Sequence, residues 1–371
     1  MAVPERRPSF DADGRMLRDP ADVIALPSVG NVALAERLRH RVTGDWWNVL
    51  GRLGVRLLVS REYEHLLVCL GLDDRGRPEV TYLPVPHPSG IAVERVSGDV
   101  WVALTRNPNQ VLNLRTRHSR LLPASSWFFP GSLYLHDLAF VGGKLYGSAA
   151  GRNLVAEIGP DAMWRPRWWP RIVDVNGSPD QRRNWLQLNS IAAGMTLRDS
   201  FFTASADRRL RYTPGDQRFD PDGRGVIFSG RTREVLVGGL TRPHSARLRG
   251  GVLWVDNSGY GTVGVVAGGR LEVAQRLPGW TRGLCFVDDV AFVGTSQVLP
   301  RFAHYAPGVR RAVCGVHALD AGNGAILGSI RWSSGNQVFA IDWLPSVLAG
   351  GLPYSGRRPG MTTSVERVFY T

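Results

Sequence analysis

The chain has 371 residues and a formal net charge of +13, with 45 lysine and arginine residues against 32 aspartate and glutamate residues. Lys144 is the only lysine, and the arginines are scattered without a run of five or more basic residues. This argues against nucleic acid as a partner, because proteins that bind it cluster their basic residues. The three distant cysteines and the lack of an apolar stretch of about 18 residues argue against a disulfide framework, a zinc knuckle and a membrane span.

Residues 1–50 are predicted to form an N-terminal tail with short helices. Residues 1–20 are polar and lack the apolar core of a signal peptide, so we expect a soluble, cytoplasmic protein. Residues 33–53 are compatible with one or two short helices. Beyond them the 43 glycines and 24 prolines argue against long helices and favour many short strands joined by turns.

Five later segments share one pattern, in which a polar residue opens an apolar strand, a tight turn follows and a second strand ends the segment. Each is predicted to be the inner hairpin of a propeller blade. Their first residues are 38 to 55 residues apart, close to the period of a four-stranded blade. The segments begin at Ser89, His136, Asn189, His244 and Arg282.

The sixth copy of this pattern is divided between the two ends of the chain. Residues 337–345 form an inner strand without a hairpin partner, and residues 54–83 form three strands without an inner strand. Pairing of the two ends completes a blade and removes free sheet edges. The sequence therefore predicts an all-β fold, a six-bladed β-propeller over residues 51–347, with a C-terminal tail at 348–371. A seventh blade is the alternative, if one further copy has diverged.

Seven motifs follow one another along this region: GSLYLHDLAF (131–140), WLQLNSIA (185–192), RPHSARL (242–248), LWVDNSG (253–259), LPGWTRGL (277–284), AFVGTSQ (291–297) and QVFAIDWLP (337–345). With them the chain resembles an uncharacterised bacterial family, a domain of unknown function with propeller-like sequences. The resemblance implies the fold and no established reaction. In that family a histidine usually precedes Asn189 by two residues, whereas this chain has Gln187, so no role of that histidine is carried over.

Equivalent positions of the inner strands surround a propeller's axis and form rings of side chains. Polar residues dominate both predicted rings, although a water-filled channel needs a polar lining even without an active site. The first ring consists of Ser89, His136, Asn189, His244, Arg282 and Gln337. The second, two residues earlier on the same strand faces, consists of His87, Tyr134, Gln187, Arg242, Trp280 and Gly335.

The histidine and arginine residues in these rings indicate catalytic, metal-binding or anion-binding roles. His136 and His244 are predicted to be catalytic acid/base groups or, with His87, ligands of a transition metal, because imidazole titrates near neutral pH and binds such metals. No carboxylate lies in either ring, which argues against calcium or magnesium. Arg282 is predicted to act in catalysis by holding an anionic group of the substrate. The predicted substrate-binding residues are Asn189, Gln337, Arg242, Trp280, Tyr134 and Gln187.

These residues predict an enzyme that binds an anionic small molecule or a peptide in the central channel. Its chemistry would be non-redox and based on histidine and arginine, with or without a metal, as in a hydrolase, lyase, isomerase or cyclase that tailors a natural product. If the bound metal were redox-active, an oxidation reaction would also be possible. The alternative is a non-catalytic propeller that binds a peptide or protein partner. The sequence lacks a GxSxG elbow, a Walker loop and an HExxH motif, so no particular reaction is indicated.

Overall fold

The computed structural model describes residues 34–105, 109–129, 132–159, 161 and 163–355, together with two short strands near the N-terminus. These are β1 (Ser9–Phe10) and β2 (Met16–Leu17), which pair with each other; α1 (Leu34–Leu38), β3 (His40–Gly44) and α2 (Trp46–Leu53) follow. The rest of the predicted tail at residues 1–20, and residues 356–371 of the predicted C-terminal tail, lie outside the described residues. No helix in the described part is long and apolar enough to cross a membrane.

Helix α2 forms because its apolar residues recur with helical spacing. Trp46, Val49 and Leu50 are buried on one face, and the Trp46 ring packs edge-on against Phe292 at 5.9 Å between ring centroids. Gly54 ends the helix in the left-handed conformation, with φ of 62°. Glycine adopts this conformation without the steric cost that other residues carry.

The remaining strands form six antiparallel blades. Blade 1 contains β4 (Val55–Arg61), β5 (Leu66–Leu72) and β6 (Pro78–Pro84); blade 2 contains β7 (Pro88–Val93), β8 (Val100–Leu104), β9 (Gln110–Arg117) and β10 (Arg120–Phe128); blade 3 contains β11 (Leu135–Val141), β12 (Lys144–Ala149), β13 (Leu154–Ile158) and β14 (Trp164–Trp168). A small hairpin, β15 (Asp174–Val175) and β16 (Ser178–Pro179), precedes blade 4, which contains β17 (Leu188–Ala192), β18 (Phe201–Ala204), β19 (Gly225–Ser229) and β20 (Val235–Leu240). Blade 5 contains β21 (Pro243–Arg249), β22 (Val252–Asn257), β23 (Thr262–Ala267) and β24 (Arg270–Arg276); blade 6 contains β25 (Trp280–Val287), β26 (Val290–Ser296), β27 (Gly315–Asp320) and β28 (Ile326–Trp332).

Strands from the two ends of the chain complete blades 1 and 6. The late strand β29 (Ala340–Pro345) pairs with β4 and becomes the inner strand of blade 1, and β30 (Tyr354–Ser355) pairs with β6 at its outer edge. The early strand β3 covers the outer edge of blade 6 by pairing with β28. Covered edges do not offer unpaired backbone groups to another chain. The predicted all-β, six-bladed β-propeller is confirmed.

Tight turns join the first two strands of several blades. Gly142 and Gly143 in blade 3, and Gly250 and Gly251 in blade 5, all have positive φ. Two-residue hairpin turns of this kind need positive φ at both positions and therefore favour glycine. The apolar strand residues pack mainly between adjacent blades, so the core is a series of inter-blade layers around the propeller axis.

Candidate functional site

The inner strands are interrupted at one recurrent position. In β7, β11, β17, β21 and β25 the pairing with the second strand shifts register just after the strand begins. Such bulges re-aim side chains and are frequent beside active sites. The residues of the first predicted ring lie at or next to these shifts in the five blades: Ser89, His136, Asn189, His244 and Arg282.

In blade 1 the predicted register of this ring is wrong by two residues. The strand pairing places Ala340 opposite Ser60, and Phe339 directly before it donates its backbone N–H to the Ser60 carbonyl at 2.8 Å. Phe339 contacts His136 and His244, so it occupies the ring position that was assigned to Gln337. Gln337 is buried two residues earlier and belongs with the second ring, where Gly335 was predicted.

The second ring also differs from the prediction. His87, Tyr134, Gln187 and Arg242 each immediately precede an inner strand, instead of continuing its extended face. All four have positive φ, between 45° and 54°. This conformation is uncommon for residues other than glycine and costs about 1–2 kcal/mol. Trp280, in contrast, begins strand β25.

Phe339 is the centre of a group of side chains that we call the axial cluster. Its ring lies edge-on to both His136 and His244, with 5.4 Å between the ring centroids in each case. The Arg282 guanidinium lies over the same ring, 3.9 Å from its centroid, as a cation–π contact. The cluster is buried and consists of His136, Asn189, His244, Arg282 and Phe339.

The hydrogen bonds of Asn189 fix the proton on His136. The Asn189 amide nitrogen Nδ2 donates to the Pro243 carbonyl at 2.9 Å and to the Ser205 hydroxyl at 3.0 Å. Its Oδ1 atom therefore faces His136 and accepts from Nδ1 at 3.1 Å. When Nδ1 carries the proton of a neutral imidazole, Nε2 carries the lone pair and can act as a base.

His244 is held differently from His136. A guanidinium can only donate, so the Arg282 Nη2 atom donates to His244 Nε2 at 3.0 Å, and His244 Nδ1 then donates to the Ser245 hydroxyl at 2.9 Å. Burial, reinforced by the charge of Arg282, lowers the pKa of His244 well below its ordinary value. The residue is thus neutral, and its geometry is that of a support for Arg282, not of an acid or base facing a substrate.

Two buried arginines give the site its positive charge. The Arg242 guanidinium lies 4.2 Å from the Tyr305 ring centroid and donates to the Pro214 carbonyl at 3.1 Å. Burial lowers the pKa of Arg242 to about 10 and also lowers the pKa of Arg282. Guanidinium groups nonetheless keep their charge in proteins at neutral pH. Among the described residues neither arginine forms a salt bridge with a carboxylate, although Glu62 and Asp256 are near enough to Arg282 to favour its charge.

The structure does not assemble the predicted metal site. His87 packs against His65, with 4.3 Å between ring centroids, and its Nδ1 atom lies 3.8 Å from Glu62. Both nitrogens of His244 are already engaged. Within the described ranges no three histidine, cysteine, aspartate or glutamate residues are arranged to hold a metal ion. His87, His136 and His244 are therefore near the axis without forming a three-ligand set.

The other predicted residues have different surroundings. The Tyr134 ring packs on His136 at 4.7 Å between centroids, and Trp280 lies 5.7 Å from the Arg282 guanidinium. The Gln187 side-chain oxygen is buried without a hydrogen bond to a described residue. Ser89 serves the fold, because its hydroxyl bonds to the carbonyls of Ala103 and Leu135 and so joins blades 2 and 3.

A buried ion pair crosses the far side of the inner ring. Arg247 on β21 reaches past blade 4 to Asp137 on β11 and makes two hydrogen bonds to its carboxylate, at 2.8 and 3.1 Å. Asp137 also accepts from the backbone N–H of Ile191 on β17 at 3.0 Å. These contacts tie blades 3, 4 and 5 together below the axial cluster.

Sequence reasoning missed several residues of the site. Glu62 follows strand β4 and Tyr305 ends a short 3-10 helix between β26 and β27, and neither position repeats between blades. Phe339 was overlooked because only polar residues were sought at the ring positions. A strict alignment of YLHD, QLNS, RPHS and QVFA would have placed Phe339 beside His136.

The fold and the site together define a six-bladed β-propeller with a buried, cationic cluster of histidine, arginine and aromatic side chains at its axis. The chain belongs to the family described as Domain of unknown function (DUF4915), whose model matches residues 44–351. No curated protein matches the chain by sequence.

Solved structures resemble the chain at low sequence identity. A structure of the nidogen/laminin complex has a TM-score of 0.53 and 11% identity, covering 78% of this chain and 98% of that one. Streptogramin B lyase has a TM-score of 0.39 and 13% identity, covering 72% of this chain and 73% of that one. Virginiamycin B lyase from Staphylococcus aureus has a TM-score of 0.40 and 10% identity, covering 79% of this chain and 99% of that one. Only the fold follows from the first similarity, and nothing about activity follows from any of them.

Proposed function

We propose that the axial cluster and Arg242 bind the anionic group of a small molecule or peptide, and that His136 exchanges a proton with the bound molecule. The observation that carries this proposal is the presence of two buried guanidinium groups, Arg242 and Arg282, without a salt bridge to a described carboxylate. The anionic group would be a carboxylate or a phosphate, which both accept the paired donors of arginine.

Charge balance supports an anionic ligand. Taking a charged group out of water is unfavourable unless an opposite charge compensates it. Near the axis, the carboxyl groups of Glu62 and Asp256 act on the charge of Arg282, but among the described residues neither forms a salt bridge with Arg242 or Arg282, and the Arg282 Nε atom is buried without a hydrogen bond to a described residue. An anion between Arg242 and Arg282 would supply a salt-bridge partner for both guanidinium groups and the missing acceptor for Arg282 Nε.

The proposed chemistry is proton transfer without a redox step. His136 is fixed as the Nδ1–H tautomer by Asn189, so its Nε2 atom is the base. Tyr134 packs on the same imidazole and provides an aromatic wall for the ligand. Hydrolase, lyase, isomerase and cyclase reactions all fit this arrangement. The proposal assigns no step to a metal, because within the described part of the chain no three histidine, cysteine, aspartate or glutamate residues form a ligand set.

Anion binding is the direct test. We would titrate the purified protein with citrate and with inorganic phosphate by calorimetry, and compare Arg242→Gln and Arg282→Gln with Arg270→Gln. Arg270 is exposed at the start of the outer strand β24, so its substitution makes the same change in net charge away from the axis. Each axial variant is expected to weaken binding about 10- to 100-fold, the value of a charged hydrogen bond of roughly 1.5–3 kcal/mol. Equal affinities of all three variants would refute the proposal.

A further inference from the structure

Asp256 is a buried carboxyl group directly behind the axial cluster. Asp256 lies on β22, where it pairs with His244 of β21, and it is fully buried. Neither carboxylate oxygen makes a hydrogen bond of ordinary geometry to a described residue. A buried group of this kind calls for a physical explanation, because native structures rarely leave one unpaired.

A count of donors and acceptors indicates that the neighbouring Ser245 hydroxyl can donate a hydrogen bond to Asp256. The Ser245 oxygen accepts from the backbone N–H of Gly283 at 2.8 Å and from His244 Nδ1 at 2.9 Å. A hydroxyl has two lone pairs and one hydrogen, so only the hydrogen remains to be donated. Asp256 is close enough for Ser245 to favour its ionised form, and it can accept that hydrogen.

We propose that Asp256 is a positioning residue, which holds the Ser245 hydroxyl so that His244 keeps its proton on Nδ1 and presents Nε2 to Arg282. If the Ser245 hydrogen turned towards His244 instead, Nδ1 would have to accept it and Nε2 would carry the proton. Arg282 would then face another donor and lose its support. The chain of contacts runs from Asp256 through Ser245 and His244 to Arg282.

The aspartate suits this role because its carboxyl group offers an acceptor oxygen whether or not it is protonated. Two opposing influences act on it. Burial raises the pKa of Asp256 well above its ordinary value, whereas the Arg247 and Arg282 charges and the Ser245 hydroxyl act in the opposite direction. The positioning requires the acceptor oxygen of Asp256, not its charge alone. Asp256→Asn, which keeps an acceptor oxygen, and Asp256→Leu, which does not, are therefore expected to differ.

The test is the tautomer of His244, read from nitrogen-15 spectra of protein with labelled histidine. The chain has eight histidines, and a His244→Gln spectrum assigns the signal. Wild type is expected to give the Nδ1–H pattern. Asp256→Asn retains an acceptor oxygen and should keep that pattern, whereas Asp256→Leu removes the acceptor and should give a mixture with the Nε2–H form.

A folded Asp256→Leu variant with the wild-type pattern would overturn the proposal. If that variant does not fold, Asp256→Val removes the same acceptor with a smaller side chain, and an unaltered His244 pattern there would overturn the proposal equally. Thermal unfolding of each variant reports on folding separately.

A second measurement rests on the proposed function and uses citrate as the probe. Asp256→Leu is expected to weaken citrate binding about tenfold, by analogy with the partners that orient metal-binding histidines, and Asp256→Asn much less. If citrate binds wild type and Arg282→Gln equally, the proposed function fails while the tautomer result still decides the role of Asp256. If Arg282→Gln loses binding and Asp256→Leu does not, the positioning role fails alone.

Discussion

The ion pair between Asp137 and Arg247 makes a quantitative prediction about stability. Its two hydrogen bonds connect inner strands of blades 3 and 5, with blade 4 between them. The Asp137 side chain is 3% exposed and that of Arg247 is 20% exposed. We therefore expect the two partners to respond unequally when either is removed, because the less exposed charge is harder to hydrate.

The expected loss of stability depends on the hydrogen bonds that each partner keeps after the other is replaced. In Arg247→Met the Asp137 carboxylate keeps only the backbone N–H groups of Ile191 and Leu138 and stays buried. Loss of one partner of a buried pair costs about 3–5 kcal/mol. In Asp137→Asn the more exposed Arg247 keeps the carbonyls of Ile191 and Ala246. This change should cost roughly 1–3 kcal/mol, the cost of a weakened buried hydrogen bond.

Urea denaturation measures both free energies of unfolding, and the double variant completes a cycle. Because the two groups touch, the double variant should lose less than the sum of the single losses, by about 0.5–3 kcal/mol. Arg270→Met is the control, since Arg270 is exposed at the start of β24. A loss below about 1 kcal/mol for Arg247→Met, or strict additivity in the cycle, would refute the idea that this pair holds the three blades together.

Three further predictions concern other parts of the chain. Gln187→Gly should unfold at a higher temperature than Gln187→Ala, by about 1 kcal/mol in stability, because glycine accepts the φ of 51° at this position; equal stabilities would contradict the assignment of strain. The hydrogen bonds from Arg182 lower the pKa of Asp180 to about 2, from an ordinary value of 3.8, so its contribution to stability is present above about pH 4 and is lost as the pH falls towards 2; acid unfolding of Asp180→Asn should depend less on pH over that range, and an unchanged profile would count against it. Burial raises the pKa of the Cys69 thiol to about 11 and of the Cys314 thiol to about 12, and raises that of Cys285 as well; mass spectrometry should find all three unalkylated by iodoacetamide at pH 8 until the protein is unfolded, and labelling of the folded protein would contradict this.

The fold could be predicted because the repeated unit is local. Each inner hairpin contains its strands and its tight turn within a short segment, and the turn residues Gly142 and Gly143 have the conformation that such a turn requires. The covering of outer edges could not be predicted in the same way. Strand β3 pairs with β28 almost three hundred residues later, and β30 pairs with β6, and neither pairing has a local signal.

The site was predicted in part, because ring positions depend on register. His136, Asn189, His244 and Arg282 lie together as the alignment of the inner strands indicated. In blade 1 a two-residue error substituted Gln337 for Phe339, since the segment before β29 offered several polar residues and no hairpin to fix the register. The proton positions on His136 and His244 could not be obtained from sequence at all, because they follow from hydrogen bonds to Asn189 and Arg282 across neighbouring blades.

The left-handed residues above the inner strands bear on whether the axial site is functional. His87, Tyr134, Gln187 and Arg242 occupy one position in four blades, and each has positive φ. Glycine would fill these positions without steric cost, so four larger residues together forgo several kcal/mol of stability, at about 1–2 kcal/mol each. A turn that served only the fold would not need Tyr134 against His136, or Arg242 as a second buried charge near Arg282. Strain of this kind concentrates at functional sites, where side-chain placement compensates for it. The repeated strain and the two buried guanidinium groups without a described salt bridge both favour a ligand at the propeller axis.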